Sequence, residues 1–242
     1  MCTVTFTPRK RGYALAMNRD EQQSRVTGLP PSKQVIHGRA VLAPTEPGGG
    51  TWIALNDGGV TFALINWYSI TARVKGEAIS RGQVVIGTSA ANTPDDAELA
   101  LHELRLPKMN PFRLIGIFPN AQEIIQWQWD LRKLVRTKHH WQAQQWISSG
   151  FDEPTAQLTR GQAFREALKH KSAGSLNWLR CLHRSHSPEP GPFSTCMHRD
   201  DAVTVSYTEV SVASEIGKMR YHGGALCCHG NAHLQSFLLT SQ

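Results

Sequence analysis

Cys2 directly follows the first methionine, and this position gives it a distinctive chemistry. A cysteine side chain is small enough for Met1 to be removed, so we expect a mature chain that begins with a thiol and a free α-amino group on one residue. The thiolate is the nucleophilic form of cysteine. An α-amino group, with a pKa of about 7.7–8.0, can accept the thiol proton. The sequence therefore predicts one residue that carries both nucleophile and base.

The residues around Cys2 predict a hairpin that places charged groups beside it. Residues 3–7 alternate in polarity and are rich in β-branched side chains, which is typical of a strand. Residues 13–18 form a second such run after a basic turn at residues 9–12. An antiparallel pairing brings Arg19 and Asp20 next to Cys2. The guanidinium would favour the thiolate, and the carboxylate would bind the ammonium.

Several motifs resemble those of one known family. Met1-Cys2 is combined with Asn18-Arg19-Asp20-Glu21, and further matches lie at residues 49–56, 59–66 and 80–82. This set resembles the NRDE family, also called the transport-and-Golgi-organisation-2-like family. The likeness is specific over about the first ninety residues, which hold the motifs, and diffuse beyond them.

The resemblance implies an N-terminal-nucleophile (Ntn) hydrolase fold of class α+β, a four-layer αββα sandwich of antiparallel sheets. The wider group includes bile-salt and penicillin V acylases. By this similarity Cys2 is the nucleophile, Arg19 and Asp20 are its partners, and Asn66 donates to the oxyanion. A lone Asn at a strand end is otherwise a common turn former.

Three further residues are expected to bind substrate on the same resemblance, namely Asn18, Trp52 and Arg199. Arg199 has an alternative role as a turn residue beside Asp200 and Asp201. The expected activity is cleavage of a linear amide or acyl bond through a thioester. A small amide or acyl compound is then the partner, with no cofactor, and the oligomeric state is left open.

The composition agrees with an ordinary globular protein in one domain spanning residues 1–242. The chain is 40% hydrophobic and 19% charged, and it has no apolar stretch long enough for a membrane span or a secretory signal. Five cysteines without a Cys-x-x-Cys spacing favour a reduced, cytoplasmic setting. The net charge of +7 is a mild attraction for anions.

The remaining pattern predicts alternating groups of strands and helices. Residues 22–50 are rich in Pro and Gly and predict a long loop. Beyond it, we expect strands at 51–55, 60–65, 113–118, 123–129, 134–147, 193–198, 202–210 and 217–226, and helices at 81–89, 95–105 and 159–183.

Two other functions are alternatives to a hydrolase. One is a non-catalytic binding or trafficking protein that carries an acyl lipid or haem on the same scaffold. The other is a basic protein that binds nucleic acid or a membrane surface, suggested by the basic run at residues 132–140. Short basic clusters are mostly solvated faces, so no nucleic-acid partner is predicted.

The end of the chain contains several residues of the types that bind metal ions. Cys227-Cys228-His229 and His233 have compatible residue types, and His222, Cys196 and His198 are possible additions. Adjacent cysteines rarely bind one metal together, and structural zinc needs a closed set of four ligands. The sequence alone therefore predicts no metal site.

Overall fold

A computed structural model describes residues 2–240 of the chain. Within that range the strands are β1 (Cys2–Arg9), β2 (Gly12–Gln22), β3 (Leu29–Ile36), β4 (Arg39–Thr45), β5 (Ile53–Asn56), β6 (Thr61–Asn66), β7 (Phe112–Phe118), β8 (Glu123–Trp129), β9 (Leu134–His139), β10 (Gln144–Ser148), β11 (Ala202–Ala213), β12 (Ile216–Gly223) and β13 (Ala232–Leu238). The helices are α1 (Gly82–Thr88), α2 (Pro94–Glu103), α3 (Glu153–Leu168) and α4 (Leu176–Arg184), with a 3-10 turn at Leu106–Lys108.

The strands form two antiparallel sheets that pack face to face. In the described range, the first sheet has the order β10-β1-β2-β11-β12-β13 and the second runs β3-β4-β5-β6-β7-β8-β9. Apolar side chains of both sheets, such as Phe6 and Ile115, meet in a shared core. This pairing of inner faces is the arrangement of a sheet-on-sheet sandwich.

Helices cover the outer face of each sheet. Val84 of α1 and Leu101 of α2 pack on the second sheet. Phe164 of α3 and Leu179 of α4 pack on the first sheet, against Ala16 of β2. The predicted α+β class and four-layer αββα order are therefore confirmed.

The opening hairpin forms as the sequence predicts. Cys2 is the register partner of Arg19, and Thr3 is the partner of Asn18. Because side chains alternate between the faces of a strand, Cys2 points with Val4 towards the core between the sheets. Thr3 points towards the helices on the outer face.

The predicted hairpin after residue 50, the paired strands β7 and β8, and the helices α1 and α2 are also present. Helix α2 begins at a capping box in which the Thr93 hydroxyl accepts from the Asp96 N–H and the Asp96 carboxylate accepts from the Thr93 N–H. The sequence pattern within each of these elements was sufficient to predict it.

The prediction of a long loop over residues 22–50 is wrong. This stretch contains β3 and β4, which form a hairpin at one edge of the second sheet. Two of its prolines, Pro30 and Pro31, fall where the register shifts between Leu29 and Ser32. Proline is tolerated at such bulges and on edge strands because no ladder N–H is required there.

The prediction of one strand over residues 134–147 is also wrong. The chain forms β9 at the edge of the second sheet, turns, and enters the first sheet as β10. Residues 140–143 therefore carry the chain from one sheet to the other. Polarity alternation cannot reveal such a crossing because both halves have the same period.

The second helical layer begins earlier than predicted. Helix α3 starts at Glu153, where the Asp152 side chain accepts from the Thr155 N–H and Pro154 occupies the first turn. Residues 193–198 do not form the predicted strand. The Ser194 hydroxyl instead bonds to nearby backbone carbonyls, which competes with a strand ladder.

The first sheet contains one more strand at its end than the sequence predicts. Strand β12 ends at Gly223, and β13 pairs with it as a further edge strand. Among residues 2–240, no helix has both the length and the apolar character of a membrane span.

Candidate active site

Cys2 lies between two strands at one end of the first sheet. It pairs with Arg19 of β2 on one side and with Ser148 of β10 on the other. Its side chain is 7% exposed and borders the core between the sheets. Met1, and hence the expected removal of Met1, lies outside the described residues.

A cavity of about 290 Å³ opens at Cys2. Its walls are largely polar and come from both sheets and from the start of α1. The lining includes Cys2, Arg19, Asp20, Glu21, Arg25, Glu46, Thr51, Trp52, Leu64, Asn66, Ser80, Arg81 and Asn110. Four predicted catalytic residues, Cys2, Arg19, Asp20 and Asn66, thus border one space.

A larger cavity of about 860 Å³ lies on the helical layer, between α3 and α4. It is lined by residues such as Trp178 and Cys181, and Cys2 is not among the described residues that line it. Its size exceeds that of the Cys2 cavity, but the latter brings together a sequence-predicted nucleophile and several charged groups. We therefore take the Cys2 cavity as the candidate site.

Arg19 extends along the wall of the Cys2 cavity. Its Nη2 contacts the carboxylates of Glu46 and Glu21, the latter at 3.4 Å. Its guanidinium carbon lies 4.7 Å from the centre of the Trp52 ring, a cation–π distance. Arg25 contacts the same two carboxylates from outside. These contacts fix the guanidinium on the same face of the sheet as the thiol.

The Asp20 side chain lies on the opposite face of the sheet from the thiol. Its Oδ2 accepts from Arg160 Nη1 at 3.2 Å, and its Oδ1 accepts from the Thr204 hydroxyl at 2.7 Å. Arg160 also donates to the Thr3 hydroxyl at 2.7 Å, and both charged side chains are fully buried. Strand alternation separates the Arg19 and Asp20 side chains, although both residues adjoin Cys2.

Burial has the largest effect on the pKa of the Cys2 thiol. Burial raises the pKa of the thiol above its ordinary value, and the negative charge of Asp20 raises it further. The positive charge of Arg19 and a backbone hydrogen bond from Asp20 act in the lowering direction. The thiol form is thus favoured in the described structure, and a nearby proton acceptor is needed to reach the thiolate.

Asn66 ends β6 at the wall of the cavity. Its Nδ2 donates to the Tyr68 hydroxyl at 2.8 Å. An amide nitrogen carries two N–H groups, so this contact orients the amide and uses one of them. The arrangement suits a donor to a ligand and agrees with the position predicted for Asn66.

The three predicted substrate-binding residues have different positions. Trp52 lines the cavity and is 6% exposed. Asn18 is fully buried on the helical face, where its Nδ2 donates to the carbonyls of His183 and Thr195. This position makes Asn18 a support of the strand, facing away from the thiol.

Arg199 lies in the turn before β11. Its Nη2 contacts Asp201 at 2.8 Å, and its guanidinium carbon lies 4.6 Å from the centre of the Phe151 ring. Among the described residues it is absent from the lining of the Cys2 cavity. These contacts fit the alternative role of a turn residue.

Arg81 is a cavity residue to which the sequence analysis gave no role. It precedes α1, donates to the Pro111 carbonyl at 3.1 Å and lines the Cys2 cavity. Burial lowers the pKa of its guanidinium, which nevertheless stays positively charged because arginine starts so high. Its signal was present in the Ser80-Arg81-Gly82 motif. Glu46, from a segment predicted as loop, had no comparable signal.

Among the described residues, the group of His and Cys side chains with metal-ligand spacing lies outside the Cys2 cavity. It comprises His186, Cys196, His198 and Cys227.

The geometry of the opening hairpin and its cavity agrees with a family-level match. The family described as Transport and Golgi organisation 2 matches residues 1–204. The chain belongs to the Transport and Golgi organisation 2 family. No curated protein is matched by its sequence.

Solved structures resemble this member of the Transport and Golgi organisation 2 family over nearly its whole length. The C2A mutant of conjugated bile acid hydrolase from Clostridium perfringens has a TM-score of 0.61 and 10% identity, covering 98% of this chain and 96% of that one. Penicillin V acylase from Agrobacterium tumefaciens has a TM-score of 0.54 and 9% identity, covering 97% and 85%. At such identities the likeness shows the fold, which is that of the Ntn hydrolases.

Proposed function

We propose that this protein is an N-terminal cysteine hydrolase that cleaves a linear amide or acyl bond through a thioester. The observation that carries the proposal is the placement of Cys2 at a polar cavity together with Arg19, Asp20 and Asn66. The hydrolase-like scaffold supports it, since the bile acid hydrolase and the penicillin V acylase share the fold.

In the proposed mechanism the α-amine of Cys2, freed by removal of Met1, takes the thiol proton while Sγ attacks the substrate carbonyl carbon. The carbonyl π electrons move to oxygen, and the oxyanion accepts a hydrogen bond from Asn66 Nδ2. The α-ammonium then protonates the leaving nitrogen or oxygen as its bond to carbon breaks. Water, deprotonated by the same amine, hydrolyses the thioester and regenerates the thiol.

The supporting residues have distinct roles in this proposal. Arg19 lies on the thiol face and lowers the cost of forming the thiolate. Asp20 is held by Arg160 on the other face of the sheet, and we assign its carboxylate the role of binding the α-ammonium of Cys2. Arg81 and the mixed charges of the cavity favour a substrate with a polar or anionic group beside the scissile bond. The volume of about 290 Å³ favours a small acyl portion.

The proposal is tested by covalent trapping with a fluorescent β-lactone, an electrophile that acylates nucleophilic cysteines. We expect the wild-type chain to gain one label on the Cys2 peptide, by intact mass and peptide mapping, and Cys2→Ala to lose it. The matched control is Cys181→Ala, which removes an exposed cysteine on α4 and should keep the label.

A second variant tests the oxyanion contact without removing the nucleophile. Asn66→Ala should slow acylation about 10²–10³-fold, the usual effect of removing one oxyanion donor. Labelling that persists in Cys2→Ala, or that is equally fast in Asn66→Ala and wild type, contradicts the proposed chemistry.

One observation favours the alternative of a non-catalytic protein that binds an acyl lipid or haem. Burial raises the pKa of Cys2, and a chain that keeps Met1 has no α-amine on Cys2 to take the thiol proton. Intact-mass measurement of the natively produced protein separates the two functions. A mass beginning at Cys2 agrees with the hydrolase, and a mass that retains Met1 agrees with the binding protein.

A further inference from the structure

Four side chains far apart in the sequence converge behind the opening hairpin. His186 follows α4, Cys196 and His198 precede β11, and Cys227 follows β12. One ligand atom of each lies within 4.8 Å of the other three. The cluster is thus built by the fold, from three separate segments.

Four separations within the cluster lie within about 0.4 Å of those around a tetrahedral zinc ion, and the other two, from His186 to the sulfurs, are no more than 4.8 Å. The two sulfurs of Cys196 and Cys227 are 3.4 Å apart, and the Nε2 of His198 lies 3.7 and 3.3 Å from them. The Nε2 atoms of His186 and His198 are 3.1 Å apart. Zinc at about 2.3 Å from sulfur and about 2.0–2.1 Å from nitrogen requires ligand separations of about 3.3–3.8 Å.

The ligand atoms of the cluster indicate which metal ion it would bind. Two sulfurs and two imidazole nitrogens in a tetrahedral arrangement suit zinc, whereas hard cations such as Mg²⁺ prefer oxygen ligands. Two thiolates would balance the charge of Zn²⁺. Cys196 is fully buried and the other three residues are half-buried, so the site is enclosed yet reachable by an ion.

The backbone around the cluster is already fixed. The Cys196 N–H donates to the Ser185 carbonyl at 3.0 Å, and the His198 N–H donates to the Gly191 carbonyl at 3.2 Å. Cys227 lies in a turn closed by a hydrogen bond between the Cys228 N–H and the Ala225 carbonyl at 3.0 Å. Such anchoring holds ligands in a geometry suited to the ion before it binds.

We propose that His186, Cys196, His198 and Cys227 bind one Zn²⁺ as a closed structural site. Binding releases the two thiol protons to solvent and forms two Zn–S and two Zn–N bonds, with no change of oxidation state. The expectation of no metal site rested on the adjacent cysteines Cys227-Cys228 and on the lack of a closed set of four ligands. In the fold only Cys227 of that pair contributes, Cys196 and His198 join it, and His186, which was not among the residues expected from the sequence, completes the set.

The proposed zinc site lies next to residues that hold β2, the strand that carries Arg19 of the candidate active site. The segment between His186 and His198 carries the Thr195 carbonyl, which accepts from Asn18 at 2.8 Å. It also carries the Met197 N–H, which donates to the Thr204 hydroxyl that in turn contacts Asp20. Zinc would tie this segment to the turn after β12 and so stabilise the contacts of β2. The zinc proposal does not depend on the hydrolase proposal.

The first test measures metal in the wild-type protein, produced without a histidine tag and refolded in reducing buffer with zinc. We expect one zinc per chain by elemental mass spectrometry after desalting. Cobalt substitution should give the visible bands of a tetrahedral site and near-ultraviolet thiolate-to-cobalt charge transfer. A chain without bound metal, or a cobalt spectrum without thiolate bands, overturns the proposal.

The ligand set is tested with variants. His198→Gln and Cys227→Ser should lose most of the zinc and the thiolate bands, and His186→Gln should weaken zinc retention against a chelator at least tenfold. Matched controls are Cys181→Ser on the exposed side of α4 and Cys228→Ser, whose sulfur lies 3.7 Å from that of Cys227. Both controls should keep one zinc per chain.

Oxidation provides the competing outcome, because the sulfurs of Cys196 and Cys227 are close enough to form a disulfide after a small movement. An intact mass two hydrogens lower in the freshly purified protein, combined with failure of the reduced protein to take up zinc, would refute the zinc site. Loss of zinc in Cys228→Ser but not in Cys227→Ser would refute the ligand assignment.

Discussion

The buried ion pair between Arg160 and Asp20 gives a sharp stability prediction. Arg160 reaches from α3 through the helical layer to Asp20 on β2 and is fully buried. Replacing it by methionine keeps much of its volume but leaves the Asp20 carboxylate without this cation. We expect Arg160→Met to reduce the free energy of unfolding by about 3–5 kcal/mol, the usual cost of breaking a buried pair by removing one partner.

The contacts of Arg160 account for this magnitude. Its Nη1 donates to Asp20 at 3.2 Å and to Thr3 at 2.7 Å, and its Nη2 donates to the Pro192 carbonyl at 3.2 Å. Hydrogen bonds involving a charged group contribute about 1.5–3 kcal/mol each, and a buried acceptor left unpaired costs about 1–3 kcal/mol. The change is a large part of the 5–15 kcal/mol that stabilises a typical domain.

Urea unfolding at pH 7 measures the effect, with a double-mutant cycle to isolate the pair. Arg160→Met combined with Asp20→Asn should be more stable than Arg160→Met alone, because no uncompensated buried charge remains. The matched control is Arg136→Met, which removes a half-exposed arginine paired with Asp95 and Glu98 and should cost at most about 1 kcal/mol. Equal losses in Arg160→Met and Arg136→Met would refute the reasoning.

Three further predictions concern other parts of the molecule. Burial lowers the pKa of His183 to about 3, so the folded state keeps this residue neutral while the unfolded state protonates near pH 6.5. Stability should therefore fall from about pH 6.5 towards pH 3, with a slope of up to about 1.4 kcal/mol per pH unit that His183→Gln removes in urea titrations. A chain released by a protease so that it begins at Cys2 should react with iodoacetamide at pH 7 faster than one that keeps Met1, because an ammonium on the same residue lowers the pKa of the thiol. Equal rates would show that the position of the amine has no influence. Thr93→Ala removes the cap of α2 and should lower the free energy of unfolding by about 0.5–2 kcal/mol by thermal or urea unfolding, while Thr71→Ala, in an exposed loop, should change it little.

The local signals of the sequence were sufficient for the part of the fold that carries Cys2. The alternation of residues 3–7 and 13–18 predicted the hairpin, and the antiparallel pairing predicted that Arg19 and Asp20 lie next to Cys2. In the structure Arg19 is the register partner of Cys2. The turn residues Asn56-Asp57-Gly58-Gly59, between the strands expected at 51–55 and 60–65, are the local signal of the next hairpin. The acidic residues Asp95 and Asp96 are the local signal for the start of α2. These features depend on neighbours a few residues apart.

The same local signals could not predict which residues that lie far apart in the sequence come into contact. The partner of Asp20 is Arg160, 140 residues away, and its identity depends on how α3 packs on the first sheet. The crossing between β9 and β10 leaves no mark in the polarity pattern. The His186 side chain joins a cluster only because α4 ends beside the turn after β12. In each case the decisive contact is created by packing.

Side chains alternate along β2, so its residues lie in two different environments. Arg19 meets whatever enters the cavity, while Asn18 is anchored among the helices through His183 and Thr195. Rim segments, such as the one that supplies Glu46, can therefore be exchanged to suit another ligand without disturbing that anchorage. A shift of one residue in the pairing of β2 with β1 would have the opposite effect, because it would exchange the two faces of the strand and send the guanidinium into the helical layer.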